Sequence, residues 1–165
     1  MFIEQDLTTK EISRGGLIGR LQVRLKRAGS QEWEQVWKCP IKNKIVNAGL
    51  AQVAYRIIND SGARFMCGAI GVGTTTATDT DTALESQILT RVNSTRTTDT
   101  TAATGDTSKW VTSFTSDTTS YAVTEYGTFE TATAASMLNR VTFAAITLNI
   151  DDVLEFTYTC QIQEA

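Results

Sequence analysis

From residue 17 to residue 27 apolar and polar positions alternate. Leu21, Val23 and Leu25 fall on one side, and Arg20, Gln22, Arg24 and Lys26 on the other. That period of two predicts a strand with one buried and one wet face. Residues 28–32 (AGSQE) supply a turn, and EWEQVWKC returns with Trp33, Val36 and Trp37, so the pattern predicts an N-terminal β-hairpin closed by Pro40. Between Asn43 and Asn59 the period changes. Ile45, Val46, Leu50, Val53, Ala54, Ile57 and Ile58 recur at helical spacing, with Asn43 as the expected N-cap and the cluster 59–62 as the stop. Gly49 inside this helix costs about 1 kcal/mol relative to alanine, which points to close packing at that position.

Beyond the helix, Phe65 to Val72 form a short dense apolar run, read as a buried strand. Residues 73–83 read as a polar loop pinned by Leu84, Ile88 to Val92 as the next strand, and TTDTTAATGDTS as another loop. Further strands are predicted near 109–115, 121–130, 138–148 and 153–163. In the last, Leu154, Phe156, Tyr158, Cys160 and Ile162 oppose Val153, Glu155, Thr157, Thr159 and Gln161. Seven or eight strands with one early helix predict a mainly all-β fold: a β-sandwich, of which the jelly roll is one form. The expected organisation is an N-terminal arm, 1–16, followed by a single domain, 17–165, in a chain of a size suited to one core.

Composition sharpens this picture at one point. Threonine supplies about one residue in six, nearly all of it after Gly73. A β-branched, weakly charged stretch suits pleated strands, and Trp110, Val111, Phe114, Tyr121, Val123, Tyr126 and Phe129 recur within it, which argues against disorder. Segments 1–16 and 93–108 hold too few apolar anchors to offset their ordering entropy. They are expected to order chiefly against other subunits.

Charge divides along the chain. Residues 1–64 carry eleven Lys and Arg against six Asp and Glu, and residues 65–165 carry four against twelve. The cations of the first half sit on the wet face of a strand pattern and lack aromatic interleaving, so no nucleic-acid partner is expected. Complementary halves instead suit subunits that steer toward each other. No apolar stretch approaches the roughly 20 residues of a membrane span, and the first residues lack the apolar core of a signal peptide. Cys39, Cys67 and Cys160 are widely spaced and read as free core cysteines, which fits synthesis in a reducing cytoplasm.

The chain has no histidine. Histidine-based triads, histidine metal sites and the commonest general base are thereby removed. Gly68, Gly71 and Gly73 give the order G-x-x-G-x-G with no following helix, which reads as backbone turning and not as a phosphate cradle. Asp79, Asp81 and Glu85 lack the spacing and glycine of a calcium loop and read as solvated acids. No enzyme activity, cofactor or metal is expected.

Two segments carry a resemblance. The first is IVNAGLAQVAYRI followed by CGAIGVGTTTATDTDTALESQI: a helix, a small-residue strand ending in G-x-G-T, then D-T-x-L. The second is VTEYGTFETATAASMLNRVTF followed by DDVLEFTYTCQI. Together they resemble structural proteins of tailed-phage particles, of the tail-collar-fibre-like and capsid-associated kinds, over roughly residues 43–163. The chain departs from that pattern at Glu85 and Ser86 and in its long threonine loops. The resemblance implies an all-β assembly module without a reaction. Such a module forms a homo-oligomer, a trimer being one form, and contacts other virion proteins such as a major capsid protein. Its motif positions here are Gly71, Gly73, Leu84, Glu125, Gly127, Arg140 and Phe143. Locally, Gly71 and Gly73 are expected to turn the chain at unusual φ, Glu125 and Arg140 to pair across the sandwich, and Phe143 to fill core. Trp33, Trp37 and Trp110 are expected at subunit interfaces.

The leading expectation is a capsid decoration (cement) protein on the head surface. The alternatives are a tail, collar or baseplate fibre-attachment protein and a carbohydrate-binding module whose tryptophans stack on host glycans.

Overall fold

The computed structural model describes residues 16–59, 64–133 and 136–163. The expected arm, apart from Gly16, and the expected helix stop at 60–62 lie outside the described residues. Two antiparallel sheets pack face to face as a β-sandwich. The first has six strands: β1 (Gly16–Lys26), β2 (Glu34–Gln35), β3 (Ile41–Lys42), β7 (Thr95–Asp99), β8 (Thr107–Thr115) and β11 (Val153–Gln163). Their order is β2-β1-β11-β8-β7, with β3 also on the outer edge of β1. The second sheet takes the order β4-β10-β9-β5-β6, from β4 (Lys44–Ile45), β10 (Met137–Leu148), β9 (Tyr121–Phe129), β5 (Cys67–Gly71) and β6 (Val92–Asn93). One helix, α1 (Asn47–Ile58), lies between β4 and β5 in the chain.

The alternation of β1 and β11 is what builds the first sheet. The two pair in unbroken register from Gly16 with Gln163 to Lys26 with Val153, so their buried sets, Leu21, Val23, Leu25 and Leu154, Phe156, Tyr158, share one inner face. From the other sheet Tyr126 stacks on Phe156 with centroids 4.7 Å apart, and from β8 of the same sheet Phe114 meets Phe156 edge-on at 5.9 Å. Such aromatic pairs each add about 0.5–1.5 kcal/mol beyond their burial.

Four expectations change. The return arm of the hairpin is broken: only Glu34–Gln35 and Ile41–Lys42 pair with β1, because Trp37 turns inward to pack edge-on against Phe143 at 5.2 Å. Helix α1 begins four residues late. Lys44 and Ile45 are spent in β4, Val46 is the N-cap without a side-chain cap, and the Asn47 N–H finds the carbonyl of Asp79 at 2.8 Å. The segment 88–92 contributes no strand before Val92. Instead 93–108, expected to wait for a partner, holds β7 and a turn built on Asp106, whose carboxylate accepts N–H groups from Thr101, Ala102 and Ala103. Last, Cys39 is exposed, whereas Cys67 and Cys160 are buried.

Candidate functional site

Most of the motif positions meet at one place, the outer face of the second sheet under the loop 72–87. Glu125 on β9 and Arg140 on β10 lie on neighbouring strands, Arg140 opposite Gly127 and Glu125 opposite Thr142. They pair within one sheet and not across the sandwich, with Arg140 Nε donating to Glu125 Oε2 at 2.9 Å. The correction follows from register, since both side chains leave the sheet on the same side. Both are buried, at 3% and 0% side-chain exposure.

Glu125 does more than balance a charge. Its Oε1 accepts the N–H groups of Gly73 (3.1 Å) and Ser86 (2.8 Å), and its Oε2 that of Glu85 (3.1 Å). With Arg140 these four bonds fill the acceptor capacity of a carboxylate. One side chain therefore ties both ends of the loop to the sheet. Arg140 reaches the middle: Nη1 donates to Asp81 at 2.9 Å, and Nη2 to Thr75 Oγ1 at 3.4 Å and Glu85 at 3.5 Å. Burial pushes the Asp81 carboxyl up, but the Thr78 N–H and Arg140 outweigh it and hold the group below its ordinary value. The Thr75 N–H and hydroxyl do the same for Glu85. Burial works against the charge of Arg140, and Asp81 and Glu125 more than offset it.

The small residues here make room. Neither Gly71 nor Gly73 has positive φ, so the expectation of unusual turning fails; among the described glycines Gly29 and Gly105 do. A Cβ on Gly71 would collide with the Glu125 carboxylate and the Ser86 carbonyl, and one on Gly73 would sit 2.5 Å from Glu85 Cβ. Over Gly127 lies Leu84, whose Cδ2 would be 3.0 Å from an added Cβ. Leu84 is buried with Val46, Ala69, Phe129 and Met137 in a small second core. Phe143 lies elsewhere, half-buried in the main core at a register shift of β10.

Chemically this cluster is a fastener. Asp81 and Glu85, read from sequence as solvated loop acids, are both engaged by Arg140, while Asp79 pairs with Lys44 at 2.6 Å. Among the described residues no group of three His, Cys, Asp or Glu side chains is arranged to hold a metal. Sequence reasoning named Glu125 and Arg140, set Asp81 and Glu85 aside as solvated acids, and missed Thr75. The D-T-x-L spacing that seats Leu84 over Gly127 was the available signal.

A second surface faces outward. Helix α1 rests on β10 through Gly49, where a Cβ would come within 2.8 Å of Leu138 Cα. Contact that close needs glycine. Val53 packs against the main core, and the remaining apolar positions are uncovered: Leu50 is 44% exposed, Ile57 80% and Ile58 82%, and Ala54 is exposed between them. Positions 50, 54, 57 and 58 share one helix face.

The tryptophans separate. Trp33 lies beneath Arg24 (4.2 Å) and Lys26 (5.3 Å), Trp37 packs on Phe143, and Trp110 stacks on Tyr158 at 5.3 Å while its Nε1 donates to the Phe65 carbonyl at 2.9 Å. All three are partly buried, and among the described residues the most exposed large apolar side chains are Ile57 and Ile58 of α1. Compared with known protein families, with curated proteins and with solved structures, the chain matches none.

Proposed function

We propose that the chain is a non-enzymatic structural subunit of a tailed-phage particle, a capsid decoration protein of the head surface that packs against copies of itself and against a major capsid protein. The observation that carries this reading is the uncovered apolar face of α1. Two isoleucines about four-fifths exposed on a helix otherwise fixed to the sandwich are an interface waiting for a partner. Each contributes about 1.5–3 kcal/mol when fully buried. The Arg140 fastener supports the same reading, because it spends buried charge on holding a loop in one shape and leaves Glu125 no lone pair for a substrate proton. The alternative, a tail, collar or baseplate attachment protein, draws on the tail-collar-like resemblance of residues 123–162.

Sedimentation velocity tests the packing. Wild-type protein associates with rising concentration, and the Ile57→Glu, Ile58→Glu double variant stays monomeric with an unchanged melting temperature, since exposed substitutions away from special features shift stability by about 0.5 kcal/mol or less. Identical sedimentation of the two proteins would count against the α1 interface.

A further inference from the structure

Two pairs of like charges stand on the surface of the sandwich, one from each of the oppositely charged halves of the chain. The first is basic. Arg20 of β1 and Lys42 of β3 are partners in the register of the first sheet. Their neighbours Leu21 and Ile41 are also partners and pack into the main core, so Arg20 and Lys42 both point outward, where both are exposed. Like charges directly opposite each other on a sheet are destabilising. On its other side Arg20 meets Thr159, which offers no charge. The neighbouring cations are engaged, Arg24 with Glu155, Arg27 with Asp152 and Lys44 with Asp79. Among the described residues neither Arg20 nor Lys42 has an ion pair.

The second pair is acidic and lies at one end of the sandwich. Ser116 bridges Ile150, and the Asp151 N–H donates to the Ser116 carbonyl at 2.7 Å, so the turns that follow β8 and β10 are tied together. Asp117 and Asp151 therefore stand in adjoining turns, both exposed, and neither has an ion pair among the described residues. Beside them Ile150 is 44% exposed. The two pairs cannot neutralise each other within one chain. From Thr159, next to Arg20, β11 runs back about 20 Å to Val153 before the acidic turn is reached. Exposed charges act over about 10 Å in 0.1 M salt.

We propose that the acidic turns of one copy dock on the Arg20–Lys42 pair of a second copy, in a head-to-tail contact. This rests on the reading that the chain packs against copies of itself, and adds to the α1 face a contact of a different kind. A second copy is the occupant because it carries the complement: two adjacent carboxylates, with an exposed isoleucine beside them, against two adjacent cations. Unlike surfaces meet, so the contact repeats from copy to copy and closes into a ring or extends as a filament. Exposed ion pairs are individually weak. The contact therefore orients copies that α1 holds and does not assemble them alone.

The test is sedimentation velocity of the full chain and two double variants, Arg20→Glu with Lys42→Glu, and Asp117→Lys with Asp151→Asn. Asparagine is chosen because Asp151 takes φ 63°, a left-handed conformation that Asn and Asp adopt more readily than lysine. All four positions are exposed, so the variants keep the fold, which their melting temperatures check. Each variant alone is expected to associate at least about tenfold more weakly than wild type, because like charges then face each other. A 1:1 mixture of the two is expected to associate more tightly than either alone, since the acidic turns of the first and the basic pair of the second are both intact. Variants that associate as wild type does overturn the proposal and leave the α1 contact standing. Weakening by the first variant that the mixture does not reverse also overturns it, and gives the basic pair to a different acidic partner. A wild-type chain that stays monomeric overturns both this contact and the self-packing on which it rests.

Discussion

Replacing Arg140 with methionine isolates the energy of the fastener. The guanidinium is 3% exposed and its partner Glu125 is fully buried, so the variant strands a carboxylate in a place water does not reach. Removing one member of such a pair costs about 3–5 kcal/mol, most of it the penalty on the charge left behind. The contacts to Asp81 and Glu85 add little, because those side chains are 19% and 39% exposed and solvent screens them. For a chain of this size each kcal/mol lowers the melting temperature by about 2–4 °C, so the expected fall is about 6–20 °C. Arg24→Met is the control. Its pair with Glu155 is as short, at 2.6 Å, but Arg24 is 44% exposed, and the expected loss is about 1 kcal/mol or less. Urea unfolding followed by tryptophan fluorescence measures both. One further readout belongs to the buried pair alone: amide exchange at Gly73, Glu85 and Ser86 accelerates. Equal losses for the Arg140 and Arg24 variants would refute the reasoning.

Gly71→Ala is expected to cost about 1–3 kcal/mol through overpacking against Glu125, whereas Gly16→Ala, with open space around it, leaves the urea midpoint unchanged; equal midpoints for the two variants would show that the loop yields. Asp81, Glu85 and Asp152 titrate below their ordinary values, Asp152 because the Ala28 N–H and Arg27 outweigh its burial. The folded state therefore binds fewer protons than the unfolded chain in acid. Stability is constant near neutrality and declines as pH falls below the ordinary carboxylate value of about 4, and urea midpoints that do not move on acidification would contradict this. Chelator is expected to leave the melting temperature where it is, since Arg140 and Lys44 already engage the acids of the 79–85 segment; a drop restored by calcium would show otherwise.

The sandwich was legible wherever alternation and burial coincide, as in β1 and β11, whose inner residues are the ones the period of two selects. β8, β9 and β10 fell within a few residues of expectation for the same reason. β7 was invisible because all five of its side chains face solvent, so no apolar rhythm marks it, and its turn is organised by one carboxylate, Asp106, and not by apolar anchors. The start of α1 was misplaced because Lys44 and Ile45 pair with β10, a long-range preference that local propensity does not contain. At the fastener, sequence singled out the right residues with an incomplete mechanism. Glycines that seemed to mark unusual φ instead leave space for a carboxylate, which only the packed loop reveals.

Stoichiometry tests the proposed role as a structural subunit of a phage particle most directly. Particles purified from a lysate that expresses the chain are resolved on a gel, and the band is quantified by densitometry against the major capsid protein. A decoration protein is expected in amounts comparable to that protein. A ratio far below it would move the chain to the tail or collar, and its absence from washed particles would contradict the account.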